Sequence, residues 1–538
     1  MPRLSRRTLV TALALAPLSA RAELRGRGPG LVAREGRLEV RRAALERLEP
    51  GGWLLARVAF DERRAAVVDP EARTPAHRRL AALFASGAAA GNHGDLYDNL
   101  DGGHSRLPAG DHPQLTATVY DEAAQDDGLA RGLGLRLLFD APLIGNCSMA
   151  LVGTTFWRSL PRAALTRPDG AHRLFRVYAS GALRVFPEHR DHDPEHGDLF
   201  PANTPYCLVS QGSSGSDRPH LEALAMILAA FRPDPKAALQ RAGLVAPPLQ
   251  MVYRRARLGI LRRETYLTGR AHPTVFAAGD INLSGMVALA NAIAPDAVPP
   301  MVRLEVAAET EARPGVDVFG EGLGERLFDT PSAIARVWRA PVWRRSMIVS
   351  AAKTRDPNGR PLRFTWSLLR GDPARTRIEP LDAAGRRARI TLEWQDPRPV
   401  PGRDDVLSPR IDIGVFASNG VHDSAPGFVS VLLPAHEARV YEPAPDGGQR
   451  IARIVRAAPD DVYADPALFP VTDWTDVYRY GADGSLLGWT RSRASGDTRY
   501  DAAGRRRGPD GALRGVRYPV DALPDGRPVL REVPVIRP

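Results

Sequence analysis

The sequence predicts a multi-domain α+β protein, with a mixed α/β domain, an all-β sandwich and a small β-rich tail. The chain has 538 residues, which is too long for a single hydrophobic core. Strand-like and helix-like runs are mixed as far as about residue 300, which indicates an α+β or α/β domain. Short alternating apolar runs between turn signals then recur from 342 to 433, which is typical of a β-sandwich.

The composition is that of an ordinary globular protein, with 43% hydrophobic and 25% charged residues. No run approaches eighteen uninterrupted apolar residues, so no transmembrane helix is expected. The formal net charge is +11, but the basic runs are short and scattered. They do not alternate with aromatic residues as a single-stranded nucleic-acid platform would, so no nucleic-acid partner is predicted.

The first 22 residues have the features of an N-terminal signal segment. Arg6-Arg7 follows Ser5, a short apolar stretch comes next, and Ala20-Arg21-Ala22 forms a small-x-small cleavage site. This segment resembles a twin-arginine signal peptide. The resemblance implies that the twin-arginine export machinery is a partner and that the protein is periplasmic or secreted. It also implies that the chain folds before it is exported.

Residues 23–300 are predicted to form the mixed domain. Apolar residues at helical spacing and short apolar runs distinguish its helices from its strands. The expected helices are 75–90, 219–231, 236–243 and 284–293. The expected strands include 115–120, 133–139, 150–155, 174–178 and 207–210. Residues 301–335, rich in Pro, Gly and Glu around one strand-like run, are predicted to be a linker or domain edge.

The sandwich is predicted over 336–434. The run Arg355-Asp-Pro-Asn-Gly359, followed by Phe364-Thr-Trp366, resembles polycystic-kidney-disease (PKD) and related immunoglobulin-like modules. The resemblance implies an Ig-like β-sandwich that acts as a spacer or as a carbohydrate- or surface-binding appendage of an exported protein. It implies no catalytic residue in this part of the chain.

The tail, 435–538, contains two similar hairpin-like segments. Tyr478-Arg-Tyr480-Gly-Ala-Asp483-Gly484 and Thr498-Arg-Tyr500-Asp501 resemble YD repeats of the Rhs type, although Gly481 stands where Asp is expected. Two copies are too few for a self-standing repeat array. The resemblance therefore implies a small β-meander that packs on the sandwich.

The densest polar cluster is the loop 91–105, where carboxylates and amides lie two or three residues apart. Such oxygens suit a divalent metal, which is the candidate cofactor, although the spacing fails the EF-hand pattern. The predicted metal ligands are Asp95, Asp98, Asp101 and His104. The predicted ligand-binding residues here are Asp98, Asn99, Asp101, His104 and Ser105. The alternative is a polar loop of Asx turns and glycine bends.

Two further segments carry polar clusters. The segment 188–198 holds three His and five carboxylates, but Pro194 prevents a helical His pair, so a solvated loop is favoured over a metal site. The turn 212–217 contributes Ser213 and Ser214 as ligand-binding candidates, as an anion site or a loose match to a nucleophile elbow. The favoured alternative is a helix cap by Ser216 or Asp217.

These observations leave the function and the catalytic residues open. The leading hypothesis is an exported binding protein of the cell envelope, with a glycan as the favoured ligand class because of the PKD-like module. The first alternative is a periplasmic hydrolase with its site in 23–300, using a divalent metal. The second is a structural spacer or assembly protein. Cys147 and Cys207 are compatible with one disulfide or with two buried thiols.

Overall fold

The computed structural model describes most of the chain. The described residues are 30–49, 51–60, 95–109, 111–112, 114–131, 136–147, 159–188, 190, 192–312, 320–459, 466–524 and 527–535. The predicted signal peptide, the predicted helix 75–90 and the predicted strand 150–155 lie outside them. Among the described residues, no helix has the length and apolar character that crossing a membrane requires.

The N-terminal part is a mixed α/β unit. Its strands are β1 (Leu31–Ala33), β2 (Arg37–Val40), β3 (Glu46–Leu48), β4 (Trp53–Ala56), β5 (Val58–Phe60), β6 (Asp95–Asn99), β7 (Leu115–Tyr120), β8 (Leu137–Phe139), β9 (Leu143–Asn146), β10 (Ala182–Glu188) and β11 (Leu208–Gln211). Its helices are α1 (Glu122–Asp126), α2 (Leu160–Thr166), α3 (Gly170–Ala179), α4 (Arg218–Ala230), α5 (Pro233–Ala242), α6 (Ala246–Arg255), α7 (Arg263–Tyr266) and α8 (Leu283–Ala292).

A six-stranded parallel sheet organises this unit, in the order β2-β7-β6-β9-β10-β11. Alternate residues of each strand face opposite sides, so Leu96 and Tyr97 of β6 enter two different apolar cores. Helices α3, α4, α6 and α8 contribute to one core. The small sheets β3-β4-β8 and β1-β5, together with α1, contribute to the other.

One predicted strand of this unit is wrong. The run 174–178 is short and apolar apart from Arg176, which fits a strand, but it lies in helix α3. Leu174, Phe175 and Tyr178 lie one helical turn apart, and all three are buried in the core beside α6. A run of five residues is too short to distinguish the period of a helix from that of a strand. The packing of its buried face against the core therefore determines the helical conformation. The helices predicted near 219–231, 236–243 and 284–293 are present as α4, α5 and α8.

Two sheets follow and share an apolar core. We call them the two-sheet unit. Their strands, with the adjoining ribbon β19–β20, are β12 (Glu305–Glu309), β13 (Arg326–Thr330), β14 (Ala333–Val337), β15 (Arg344–Ser350), β16 (Arg363–Arg370), β17 (Thr376–Pro380), β18 (Arg387–Glu393), β19 (Arg398–Val400), β20 (Arg403–Ser408), β21 (Arg410–Ser418) and β22 (Gly427–Leu432). The orders are β12-β15-β18-β17 and β13-β14-β22-β21-β16. Strands β12 and β13 come from the predicted linker 301–335.

The five-stranded sheet also belongs to the core of the α/β unit. Phe328, Leu369, Phe416 and Phe428 are buried in the same cluster as the helices. Buried charges cross this boundary as well, because Asp198 of the α/β unit pairs with Arg370 and Arg410 of the sheet. The two units therefore form one continuous core.

The tail is a β-meander, as predicted. Its strands are β23 (Glu437–Pro443), β24 (Gln449–Arg456), β25 (Phe469–Pro470), β26 (Trp474–Tyr480), β27 (Leu486–Arg493), β28 (Gly496–Asp501), β29 (Arg506–Arg507), β30 (Leu513–Arg514), β31 (Val516–Arg517), β32 (Val520–Ala522), β33 (Pro528–Leu530) and β34 (Val533–Pro534). The main sheet runs β23-β24-β26-β27-β28-β29-β30. The two YD-like segments lie on β26 and β28.

Candidate functional site

The candidate site lies at the carboxyl edge of the parallel sheet, between β6 and β9. The chain passes from β6 to β7 on one side and later returns to β9 on the other, so the strand order reverses here. Open parallel sheets bind ligands in the crevice at such a reversal. Residues that follow β6 and end β9 are therefore placed where function is expected.

Gly145 allows β9 to approach β6 unusually closely. A Cβ atom at this position would lie 2.3 Å from the backbone oxygen of Asp98, well inside contact distance. Only glycine fits this close approach. The next residue, Asn146, is thereby held beside the loop that leaves β6.

Asn146 is the centre of the polar cluster. Its side-chain nitrogen donates hydrogen bonds of 2.7 Å to Asp101 and 2.7 Å to Asp217. The two accepting oxygens are therefore no further apart than twice 2.7 Å. All three side chains are buried, so this is a close pair of carboxylates in a water-poor environment.

Asp217 precedes helix α4 but does not cap it. The residue occupies the N-cap position, yet its side chain accepts no hydrogen bond from the helix backbone. Its carboxylate instead accepts from Asn146 and from the hydroxyl of Ser105. The expected cap by Asp217 is therefore not formed, although such a cap would typically contribute about 1 kcal/mol. Because the carboxylate of Asp217 does not cap the helix and instead contacts Asn146 and Ser105, we assign it to the candidate site.

The loop after β6 is held in an unusual conformation. Ser105 has a φ of 54°, and Gly102 and Gly103 also have positive φ. Asn99 fixes the loop, because its amide donates to the backbone oxygen of His104 at 2.8 Å and accepts from Gly103 at 3.1 Å. A non-glycine residue at positive φ is strained, and such strain concentrates at functional sites.

Asp101 has the electrostatics of an acid–base group. Burial, and then the negative charge of Asp217, raise the pKa of Asp101 to about 6. Its Oδ1 atom is buried and accepts no hydrogen bond from any described residue, as is also true of Oδ1 of Asn146. A buried carboxyl that titrates near neutrality can hold or release a proton under physiological conditions.

Two of the predicted ligand carboxylates are instead engaged in buried ion pairs. Asp98 pairs with Arg184 at 2.5 Å and accepts from Tyr120 and Thr118. Asp95 pairs with Lys236 at 2.7 Å. Over the part of the chain that the structure describes, no three His, Cys, Asp or Glu residues come together in a way that could hold a metal.

The remaining predicted site residues lie around the cluster. His104 is exposed, and its Nδ1 lies 2.9 Å from the backbone oxygen of Asp101. Ser213 and Ser214 are exposed in the turn before α4, and their side chains hydrogen-bond to none of the described residues. The cluster therefore brings Asp101 and Ser105 together, with Asn99 shaping the loop.

The segment 188–198 is not the solvated loop that the sequence favours. His192 is buried, and Asp198 is buried at the boundary with the five-stranded sheet. The backbone nitrogen of Asp198 donates to Leu407 at 2.9 Å, which docks the segment on the β19–β20 ribbon. His189 and Asp191 lie outside the described residues.

The two cysteines form no disulfide. Cys147 follows β9 and Cys207 precedes β11, and both are buried thiols. Burial raises the pKa of Cys207 to about 12, so this thiol stays protonated and unreactive. The sequence was compatible with one disulfide or with two buried thiols, and the structure has two buried thiols.

No protein-family model and no curated protein matches the chain. Among solved structures, it is similar to a chain described as a nucleoside hydrolase-related hypothetical protein from Saccharophagus degradans that is associated with carbohydrate metabolism. The identity is 11%, and the alignment covers 54% of this chain and 71% of that chain. The TM-score is 0.17, so the likeness carries no argument about function.

Proposed function

We propose that the α/β unit is a hydrolase, with Asp101 as its acid–base residue. The observation that carries the proposal is the buried Asp101–Asn146–Asp217 cluster at the reversal of the parallel sheet, in which the pKa of Asp101 rises to about 6. Two carboxyl groups in different environments are the usual arrangement for hydrolysing a glycosidic bond. We therefore propose a sugar-containing substrate.

In this mechanism the glycosidic bond breaks as Asp101 protonates the leaving oxygen. A water molecule then adds to the anomeric carbon and returns a proton to the carboxylate of Asp101. Asn146 holds the Oδ2 atom of Asp101 and leaves Oδ1 free to meet the substrate. The anionic Asp217 keeps the proton on Asp101 until it is needed, and stabilises the positive charge that develops on the sugar. Ser105 and Asn146 both donate to Asp217, so its carboxylate is already oriented before the substrate arrives.

Two exposed turns adjoin the buried cluster in the sequence. Gly102, Gly103 and His104 lie between Asp101 and Ser105, and Ser213 and Ser214 precede Asp217. We propose that the substrate enters between these turns. The proposal includes a movement of the 102–105 turn that admits the substrate and one reacting water and then separates them from bulk solvent, as active-site loops commonly do. The glycines give this turn the backbone freedom that such a movement needs.

The proposal predicts a pH profile for the purified full chain. We expect cleavage of at least one 4-nitrophenyl glycoside, measured by release of nitrophenol. Because the protonated Asp101 is the active form, kcat/KM should fall about tenfold per pH unit above about pH 6. A rate that is independent of pH between about 5 and 8 would contradict the role of Asp101. A purely binding function predicts no cleavage of any glycoside.

We further propose that the protein is exported through the twin-arginine pathway, which the sequence of residues 1–22 supports. Replacing Arg6 and Arg7 together by Lys should leave the full-length precursor in the cytoplasm. The measurement is cell fractionation with N-terminal sequencing. A matched control is the pair Arg34 and Arg37 replaced by Lys, which keeps the signal intact. Normal delivery and trimming of the Arg6/Arg7 variant would refute this route.

An Ig-like, glycan-binding role for the two-sheet unit is the weaker proposal. Its supporting feature would be a flat row of exposed tryptophans. Trp394, Trp474 and Trp489 are buried, and Trp366 is half-buried with its indole nitrogen donating to Gly385. These rings stabilise the fold and do not form an open stacking surface, so the geometry favours the hydrolase.

A further inference from the structure

A second cleft lies between the two-sheet unit and the tail, far along the chain from Asp101. We call it the tail cleft. Its volume is about 690 Å³, and its walls include Arg339 and Arg345 on one side and Tyr478, Trp489 and Tyr518 on the other. This volume is in the range of small-molecule sites, which are typically about 300–1,000 Å³. The hydrolase mechanism uses none of these residues.

Arg339 and Arg345 share the negative charge of Glu325. The other two carboxylates of the lining, Glu311 and Glu321, pair with Arg326 and Arg517 instead. One carboxylate oxygen of Glu325 accepts hydrogen bonds from the backbone nitrogens of Arg339 and Ala340, at 2.7 and 2.9 Å. Its other oxygen pairs with Arg345 at 2.6 Å. The Nη1 atom of Arg345 is buried and donates to no described residue. Such a donor gains free energy when a ligand oxygen reaches it.

Arg339 adds a cation without an acid of its own. Its guanidinium donates to the backbone oxygens of Gly324 and Pro466, and no carboxylate in the described chain lies within ion-pair distance of it. Burial lowers the pKa of Arg339 to about 10, although the negative charges of Glu325 and Glu437 act in the opposite direction. Both arginines are therefore poised for an anion, and a planar carboxylate suits their fork of donors.

The facing wall is aromatic. Tyr478, Trp489 and Tyr500 are directly opposite one another on β26, β27 and β28. The ring centroids are 5.8 Å apart in the first pair and 5.0 Å apart in the second, which is stacked. Such a ladder is rigid, and its half-buried end, Tyr478, lines the tail cleft. An aromatic face of this kind accepts the apolar side of a sugar ring.

We propose that the tail cleft binds an acidic saccharide, with the carboxylate of the sugar on Arg339 and Arg345 and its ring against Tyr478. The proposal combines two guanidinium groups that share the charge of Glu325, one of them with a buried donor that no described residue accepts from, with an aromatic side chain in the same cavity. Neither feature alone selects this class, because the arginines accept any anion and the ring accepts any apolar face. The site is separate from the hydrolase cluster and does not depend on its activity.

The test is calorimetric titration of the full chain with D-glucuronate and with D-glucose, which share a ring and differ in the carboxylate. We expect glucuronate to bind at least about tenfold more tightly than glucose, since a charged hydrogen bond contributes about 1.5–3 kcal/mol. Equal binding, or no binding of glucuronate at about 10 mM, would overturn the proposal. This comparison needs no variant.

Variants locate the site. Arg345→Met should weaken glucuronate binding at least about tenfold, while Arg344→Met, its exposed neighbour on the same strand, should leave binding unchanged. Tyr478→Leu should weaken binding of both sugars. Asp101→Asn should bind glucuronate as the wild type does, which separates this site from the hydrolase cluster. Unchanged binding in folded Arg345→Met would overturn the assignment.

Discussion

Replacing Asp101 by Asn is expected to abolish hydrolysis. The amide can still accept from Asn146, but it has no proton to give to a leaving group. Loss of a general acid typically lowers the rate by a factor of about 10² to 10⁴. The measurement is kcat/KM on the glycoside that the wild type cleaves. Asp111→Asn, an exposed change on the same connection between β6 and β7, is the matched control and should retain full activity.

The same variant should be more stable than the wild type at alkaline pH. Because the pKa of Asp101 rises from 3.8 to about 6 on folding, its contribution to the free energy of unfolding is lost as pH rises through about 6. Removing the charge should therefore stabilise the fold above that pH by about 2 to 3 kcal/mol.

Chemical denaturation of both proteins at about pH 4 and pH 8 measures this difference, because the advantage of the variant should grow with pH between them. A variant that loses activity and is equally destabilised at both pH values would mean that Asp101 has only a structural role.

Replacing Asp198 by Ala is expected to give the largest loss of stability. This buried carboxylate accepts from Arg370 and from Ser408, and it pairs with Arg410 at 3.0 Å. Arg410 retains Asp412, but Arg370 keeps only a 3.8 Å contact with that carboxylate. Removing one partner of a buried ion pair typically costs about 3–5 kcal/mol. The free energy of unfolding, measured by urea denaturation, should fall by that amount.

The position of this cluster adds a second expectation. Since the α/β unit and the five-stranded sheet share one core, both should unfold in a single transition in the wild type. Asp405→Ala, which removes an exposed pair with Arg403 on the nearby ribbon, should leave the midpoint unchanged. A wild type that unfolds in two separate steps, or an Asp198→Ala variant as stable as Asp405→Ala, would contradict the shared core.

Much of the architecture was accessible from the sequence because the β-rich region has unambiguous local signals. The short apolar runs from 342 to 433 predict strands, and the structure has β15, β16 and β18 among the strands of that region. Turn residues follow each of these strands, so the length of each run and its two-residue period both indicate a strand. Strand pairing was less accessible. The joining of β12 and β13 to different sheets depends on contacts with residues far along the chain.

The sequence predicted part of the site. The polar loop 91–105 was its densest polar cluster, and Asp101 and Ser105 of that loop do belong to the site. Asn146 was missed because one Asn at a strand end carries no spacing signal of its own. Asp217 was visible only as a helix cap, since its true partners lie 71 and 112 positions away in the chain. Asp95 and Asp98 were overinterpreted, because nothing local indicates Lys236 or Arg184.

The absence of a disulfide between Cys147 and Cys207 has a practical consequence for preparing the protein. A fold that contains no disulfide at its two cysteines needs no oxidant or disulfide isomerase to reach its native state. The fold is therefore compatible with a reducing compartment, and its melting temperature should not respond to dithiothreitol.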